Sequence, residues 1–351
     1  MLHSSLFTDT VQFSAGQRLL VLNSAADPFL APAAHRLGVE ALTLAEDNLA
    51  ALKQACAALF AEPRHLPFHE YTAREPEGMQ DVALLSLLYQ PGNAWMYHAL
   101  RVAGYALKPG GTLYVQGAKD RGVLSLARHM EAFFGNVETL EISKGQRVIA
   151  ARRQETLHAE ALPGGESLEE VFAGGKLDEG TRLLLEALEV RVTDVALDLG
   201  CGAGYLGLEI ARRAPKGRVT LVDVSLLALD LAWRQAHEGG LTNVEVLASD
   251  GTEALSGRRF DLVATNPPFH LGGVQTKQVA ERFIREAARA LQPRGRFYVV
   301  ANRFLKYEPA LKAAFQEVEE VGGDRRYKVL RAQAPLSARG RDETGMPDFL
   351  V

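Results

Sequence analysis

The residues with the most chemical content stand in one short run, "DLVATNPPFHLGG", residues 261–273. Its first five residues look like a buried strand, and the chain then turns to Asn266, Pro267, Pro268 and Phe269, which no strand requires. An amine conjugated to a ring or a carbonyl is a poor nucleophile, because its lone pair is delocalised. Acceptors for both of its N–H groups favour the pyramidal form in which that pair is localised. Asn266 offers a side-chain carbonyl and Pro267 a backbone carbonyl, while the two prolines fix the backbone that aims them. Phe269 offers a face on which a flat base can stack. No strong base is needed, since the nitrogen sheds its proton readily once alkylated, so His270 is expected to contact substrate. Taken by itself, Asn-Pro-Pro-Phe also fits a rigid turn.

Upstream, "VALDLGCGAGYLGLEIARRA" at 195–214 runs from an apolar strand through a glycine turn into a helix. Its glycines admit a ligand close to the backbone, and the helix start offers unpaired N–H groups. Gly202, Gly204 and Gly207 fit G-x-G-x-x-G, and with Asp223 about twenty residues on this is also a dinucleotide pattern. Three acids tilt the balance. Asp198, inside the strand, would repel a pyrophosphate but can receive an ammonium group. Asp223 can accept from ribose hydroxyls, which both ligand classes carry. Asp250, after "VEVLAS", can accept from the exocyclic amine of adenine. Each acid alone also fits a helix cap or a turn.

"DLGCGAG", Asp223, Asp250 and "NPPF", in that order, resemble a class I S-adenosyl-L-methionine-dependent methyltransferase that acts on amines. The resemblance implies a cofactor site at Asp198, Gly200, Cys201, Gly202, Gly204, Asp223, Val224, Asp250, Gly251 and Asn266. It implies catalytic roles for Asn266, Pro267, Pro268 and Phe269. Cys201 is then a loop spacer and not a nucleophile, and no metal is expected. Adenine N6, guanine N2 and protein glutamine amides all suit the acceptor set. "KLDEGTRLLLEAL" at 176–188, "NPPFHLGGVQT" at 266–276, "VVANRFLKY" at 299–307 and "GGDRRYKVLRA" at 322–332 are similar to the ribosomal RNA guanine-N2 methyltransferases. That family implies methylation of a guanosine in ribosomal RNA, with the small subunit favoured, and substrate contacts at Phe269, His270, Gln275, Asn302 and Arg303. An adenine-N6 or glutamine methyltransferase, or a nicotinamide-binding oxidoreductase, are the alternatives.

These residues must be positioned by strands and helices in alternation. "RVTLVDV" followed by "SLLALDLAWRQAHEG" is one such pair, and "ALTLAED" followed by "NLAALKQACAALF" is another. The expectation is an α/β fold with two tandem Rossmann-like domains, each a mostly parallel sheet with helices on both faces. The halves also echo each other. "LLVLNSAAD" at 19–27 parallels "ALDLGCGAG" at 196–204, "DVALLSLLY" at 81–89 parallels "DLVATNPPF" at 261–269, and "ALKPGGTLYV" at 106–115 parallels "ALQPRGRFYV" at 290–299. The first copy keeps the strands and has lost the glycines and the amine acceptors. Residues 1–152 are therefore expected to form a degenerate methyltransferase-like domain. The polar, glycine-rich stretch at 153–179 is expected to be a linker and the start of the catalytic domain, 180–335 that domain, and 336–351 a tail.

Over 351 residues, 47% are hydrophobic and 23% charged, which excludes a disordered chain. The net charge of −4 gives no global field for nucleic acid, so an RNA partner must be met by a local patch. Between 282 and 341 there are fourteen basic residues against six acidic ones. That surplus is the candidate phosphate-contacting surface, although Arg282, Arg285 and Arg289 at helical spacing also fit a solvated face. Two cysteines far apart in sequence, no signal-like start and no long apolar run lead to the expectation of a cytoplasmic protein away from membranes, with ribosomal RNA or a ribosomal subunit as its partner.

Overall fold

The computed structural model describes residues 4–11, 13–14, 16–29, 32, 35, 38, 41–87, 92–163, 168, 177–267 and 274–336. The chain divides into two compact units, Met1–Gly175 with Val224–Leu227, and Lys176–Asp223 with Ala228–Val351.

The first unit has strands β1 (Leu19–Leu22), β2 (Leu42–Ala45), β3 (Arg64–Leu66), β4 (Gln80–Ser86), β5 (Leu107–Ala118), β6 (Glu138–Ser143) and β7 (Gln146–Arg152). Its helices are α1 (Ser4–Thr10), α2 (Leu49–Leu59), the single turn α3 (Tyr71–Arg74), α4 (Asn93–Ala106) and α5 (Val123–Phe134). The sheet order is β3-β2-β1-β4-β5-β7-β6, parallel except for β7, which runs antiparallel to both of its neighbours. "LLVL" in β1 is buried at all four positions, because helices cover both faces of a parallel sheet and leave no polar side. Phe7, Val21, Phe29 and Leu44 pack in this core. The stretch expected to be a linker is anchored at its start. Arg153 is buried, with Nε donating to the Gly104 carbonyl at 2.7 Å and Nη2 to Glu77 at 2.5 Å.

The second unit repeats the plan. Its strands are β8 (Val195–Leu199), β9 (Arg218–Asp223), β10 (Val244–Ala248), β11 (Phe260–Thr265), β12 (Leu291–Asn302), β13 (Phe315–Gly323) and β14 (Tyr327–Pro335), in the order β10-β9-β8-β11-β12-β14-β13. Its helices are α6 (Glu179–Ala187), α7 (Tyr205–Arg213), α8 (Leu226–Glu238), α9 (Val274–Ala290) and α10 (Glu308–Ala314). The order reverses between β8 and β11, and the carboxyl ends of strands flanking such a reversal form the usual ligand crevice of an open α/β sheet. Phe260, Val263, Ile284 and Phe297 fill the core beneath.

The fold removes several cations from the patch expected to meet RNA. Arg296 is 2% exposed and pairs with Asp194 at 2.5 Å, also donating to the Glu189 carbonyl. Lys328 is buried against Glu308, and Arg331 is paired with Glu319 and Glu189. A buried cation left unpaired would cost several kcal/mol, roughly, so the partners of Arg296 and Lys328 are structural. Arg325 and Arg326 at the β13–β14 turn and Lys306 after β12 remain exposed.

Candidate active site

β8 ends at Leu199 and the chain enters the glycine loop. Gly200, Gly202 and Gly204 have φ of 75°, 53° and 89°, in the left-handed region that side chains with a Cβ rarely adopt. The loop is pinned to β9 by Gly200 N and Cys201 N, both donating to the Val222 carbonyl at 2.9 Å, and by Gly202 N donating to Asp223 Oδ2 at 2.9 Å. A Cβ placed on Gly202 would meet nothing within 4 Å, so the loop has open space beside its backbone. Gly207, in the first turns of α7, approaches Asp198 so closely that a Cβ there would lie 2.9 Å from Oδ2, and its N–H donates to that oxygen at 2.7 Å.

Asp198 is 1% exposed. Burial pushes its carboxyl up to about 7, against the Gly207 hydrogen bond that lowers it, and the charge of Asp223 raises it further. A carboxylate so placed is a receptor for a positive group. Burial likewise pushes the Cys201 thiol well up, with the Asp223 and Asp198 charges adding, so the thiolate is disfavoured. Asp250 follows β10, and its Oδ1 is paired with Arg282 of α9. Gly251 beside it has φ of 61° and packs so tightly against Glu286 that a Cβ would collide with that carboxylate. Glu286 Oε2 in turn accepts from Thr252 N at 3.0 Å. Val224 follows Asp223 directly and groups with the first unit.

Across the strand reversal, β11 ends at Thr265, whose hydroxyl donates to the Leu199 carbonyl at 2.6 Å and ties the two strand ends together. Asn266 comes next. Its Nδ2 donates to Asp178 Oδ2 and to Thr181 Oγ1, each at 2.8 Å. Its Oδ1 is buried and accepts no hydrogen bond among the described residues. A buried amide oxygen without a donor is costly, so this atom is a candidate acceptor for a ligand. Pro267 is buried beside it. Pro268, Phe269 and His270 lie outside the described residues, as does the side chain of Gln275.

Strand ends therefore gather Asp198, the glycine loop, Asp223, Asp250 and Asn266 along the carboxyl edge of one sheet. Asn302 closes β12 and its carbonyl accepts from Leu305 N. Arg303, a candidate substrate contact, lies exposed with its guanidinium donating to Glu320 at 2.8 Å and to the Asp324 carbonyl at 2.5 Å. Asp178 and Thr181 carry no signal of a site in the sequence, although "KLDEGTRLLLEAL" contains both. Asp-x-x-Thr before an apolar run signals a helix cap, and Asp178 does accept from Thr181 N at 3.1 Å. Nothing local announces a partner far along the chain.

The family model for the methyltransferase small domain matches residues 166–331. A ribosomal RNA small subunit methyltransferase C of Hahella chejuensis is 40% identical over 52% of each chain, so that alignment spans about half of either protein. The Pseudoalteromonas atlantica protein of the same name is 30% identical over 79% of this chain and 84% of its own. Among solved structures, the T. thermophilus 16S rRNA methyltransferase that acts on N2 of guanosine 1207, in complex with AdoMet and guanosine, superposes with a TM-score of 0.81. It is 30% identical and is matched over 94% of this chain and 91% of its own. That likeness spans both units, and the architecture is that of two tandem class I methyltransferase domains. With this identity over most of both sequences, the chain belongs to the ribosomal RNA small subunit methyltransferase C family.

Proposed function

We propose that this chain methylates the exocyclic N2 amine of a guanosine in small-subunit ribosomal RNA, with S-adenosyl-L-methionine as the methyl donor. The observation that carries this reading is the buried Oδ1 of Asn266, without a hydrogen-bond partner among the described residues, at the carboxyl edge of the sheet beside the end of β8. Family membership supports the substrate class, since relatives covered over most of their length are named for the small ribosomal subunit.

The residues present fit the cofactor. An open glycine loop, a buried acid at Asp198 and the strand-end acids Asp223 and Asp250 suit the amino group, ribose and adenine of a cationic nucleoside. S-adenosylmethionine supplies an electrophilic methyl carried on a sulfonium. The protein's own residues do the rest. In this reading Asn266 Oδ1 accepts one N–H of the guanine amine, and the Pro267 carbonyl accepts the other. Both bonds strengthen as the nitrogen becomes pyramidal and gains positive charge, so they favour the transition state over the ground state. The proton then leaves a strongly acidic alkylated nitrogen without a dedicated base.

The test is methyl transfer from labelled S-adenosylmethionine to small subunits and to naked 16S RNA, with the modified nucleotide mapped, alongside calorimetric titration with S-adenosylhomocysteine and with NADH. N2-methylguanosine in the RNA and binding of S-adenosylhomocysteine are expected. Binding of NADH alone, or label on adenine or protein, would replace this reading.

A further inference from the structure

A primary amide has two chemically opposite ends, and Asn266 can serve an amine only if its oxygen faces the crevice. The side chain by itself has no preference, because a half-turn about its last bond exchanges oxygen for NH₂ at little intrinsic cost. In this fold the choice is made by the start of α6. Asp178 Oδ2 and Thr181 Oγ1 each lie 2.8 Å from Nδ2, so both amide hydrogens are engaged. A carboxylate only accepts, so the atom facing Asp178 must be the nitrogen. Turning the amide would set Oδ1 against the carboxylate, two acceptors in contact. Asp178 is itself fixed, since it also accepts from Thr181 N as the cap of α6. Gly180 keeps the approach tight, because a Cβ there would lie 3.0 Å from Asp178 Oδ2 and 3.5 Å from Asn266 Nδ2. The oxygen that results is buried and has no donor among the described residues.

We propose that Asp178, assisted by Thr181, is a positioning residue that fixes the Asn266 amide with its oxygen presented to the substrate amine. This rests on the reading above, in which Asn266 receives that amine. On this assignment Asp178 acts through Asn266, the side chain it holds. Its carboxylate also polarises the amide, which makes Oδ1 a better acceptor as charge develops on the nitrogen.

The test uses the full-length chain with Asp178→Asn, Asn266→Ala and the double variant. Asparagine caps a helix about as well as aspartate, so α6 and the unfolding temperature should be kept. Its amide can offer Asn266 either end, however, so the enforced orientation is lost. A fall in kcat of roughly tenfold to a hundredfold is expected, with KM for RNA and the dissociation constant for S-adenosylhomocysteine within about threefold. In the Asn266→Ala background Asp178→Asn should cost little more, since the group it orients is gone. Should Asp178→Asn fail to fold, Thr181→Val compared with Thr181→Ser carries the same test, the valine variant losing more. A second readout needs no RNA. The side-chain NH₂ resonances of Asn266, identified by their loss in Asn266→Ala, should be exchange-protected in the wild type and shift in Asp178→Asn. Unchanged kcat in Asp178→Asn, or a loss that multiplies in full onto that of Asn266→Ala, overturns the inference. If the wild type transfers no methyl to RNA, the proposed function fails, and the Asn266 resonances still decide whether Asp178 holds the amide: an unshifted pair in Asp178→Asn rejects it.

Discussion

The two units carry the same loop with opposite consequences. In the first, Asn23 N donates to the Ala45 carbonyl at 2.7 Å and Ala25 N to Glu46 Oε2 at 2.8 Å. In the second, Gly200 N donates to the Val222 carbonyl at 2.9 Å and Gly202 N to Asp223 Oδ2 at 2.9 Å. Strand register makes these the same positions, because Leu22 pairs with Ala45 as Leu199 pairs with Val222. Even the backbone bend is shared. Asn23 has φ of 44° where Gly200 has 75°, and asparagine is among the few residues that tolerate it. What differs is the length and burial of the acid. Glu46 is 2% exposed and turns both oxygens onto its own chain, Oε2 to Ala25 N and Oε1 to Asn48 N at 2.8 Å. Asp223 is partly exposed. Val21 stands at the place of Asp198, and Ser86 at that of Asn266. The first copy thus carries a longer and more deeply buried acid at this position, while both copies use the acid to hold the loop before it. Losing a site and losing a fold are separate events, because the sheet core does not depend on the strand-end residues.

The sharpest way to break this comparison is Asn266→Ala. Methyl transfer in a single turnover is expected to fall by about two to three orders of magnitude, or about 3 to 4 kcal/mol, with cofactor affinity nearly kept. Rates within threefold of wild type would show that the second copy's distinguishing residue is not its working one. Asp223→Ala should act on affinity instead. A carboxylate that accepts from ribose contributes about 1.5 to 3 kcal/mol in ground and transition states alike, so the dissociation constant should rise by roughly ten- to a hundredfold while saturated turnover changes less. An unchanged constant by calorimetry would remove Asp223 from the site.

Acid protonation sharpens the contrast. Asp198 has its carboxyl pushed up to about 7 by burial, and it must be ionised to receive an ammonium group. Cofactor affinity is therefore expected to weaken below pH 7, approaching tenfold per unit, with proton release on binding near neutrality, measurable by calorimetry in buffers of different ionisation enthalpy. Affinity flat between pH 6 and 8 would place the cofactor's amino group elsewhere. In the first unit, burial pushes Glu46 from 4.5 to about 7, so the folded chain holds a proton that the unfolded chain has released. Between those values stability should fall as pH rises, and the difference between wild type and Glu46→Gln in urea unfolding should show that slope. A pH-independent difference would mean that Glu46 does not titrate there. The smallest effect is an absence: the full chain should bind one S-adenosylhomocysteine, and a second equivalent would mean that the first copy still has a working site.

Much of this was legible in sequence. "DLGCGAG", Asp223, Asp250 and Asn266 are each set by a local strand-turn-helix pattern, so their order along one sheet edge follows from alternation alone. The internal repeat was legible for the same reason, and the structure aligns the repeated segments residue for residue at β1 and β8 and at β4 and β11. Charge was less so. A surplus of basic residues says nothing of which are consumed, and Arg296, Lys328, Arg331 and Arg303 are held by acids from other elements. "LTLAED" in the first copy shows an acid at a strand end, yet not that its carboxylate turns back on the loop before it.

The sequence by itself determined which residue types arrive at the strand ends, since local periodicity and turn chemistry act over a few positions. Tertiary structure alone decided which way they face. Asn266 meets Asp178 across 88 residues and Thr181 across 85, and the end of its amide left for a substrate is whichever end those two partners do not take. Hydrogen-bond complementarity, unlike hydrophobic periodicity, is settled between the particular atoms that folding brings within about 3 Å of one another.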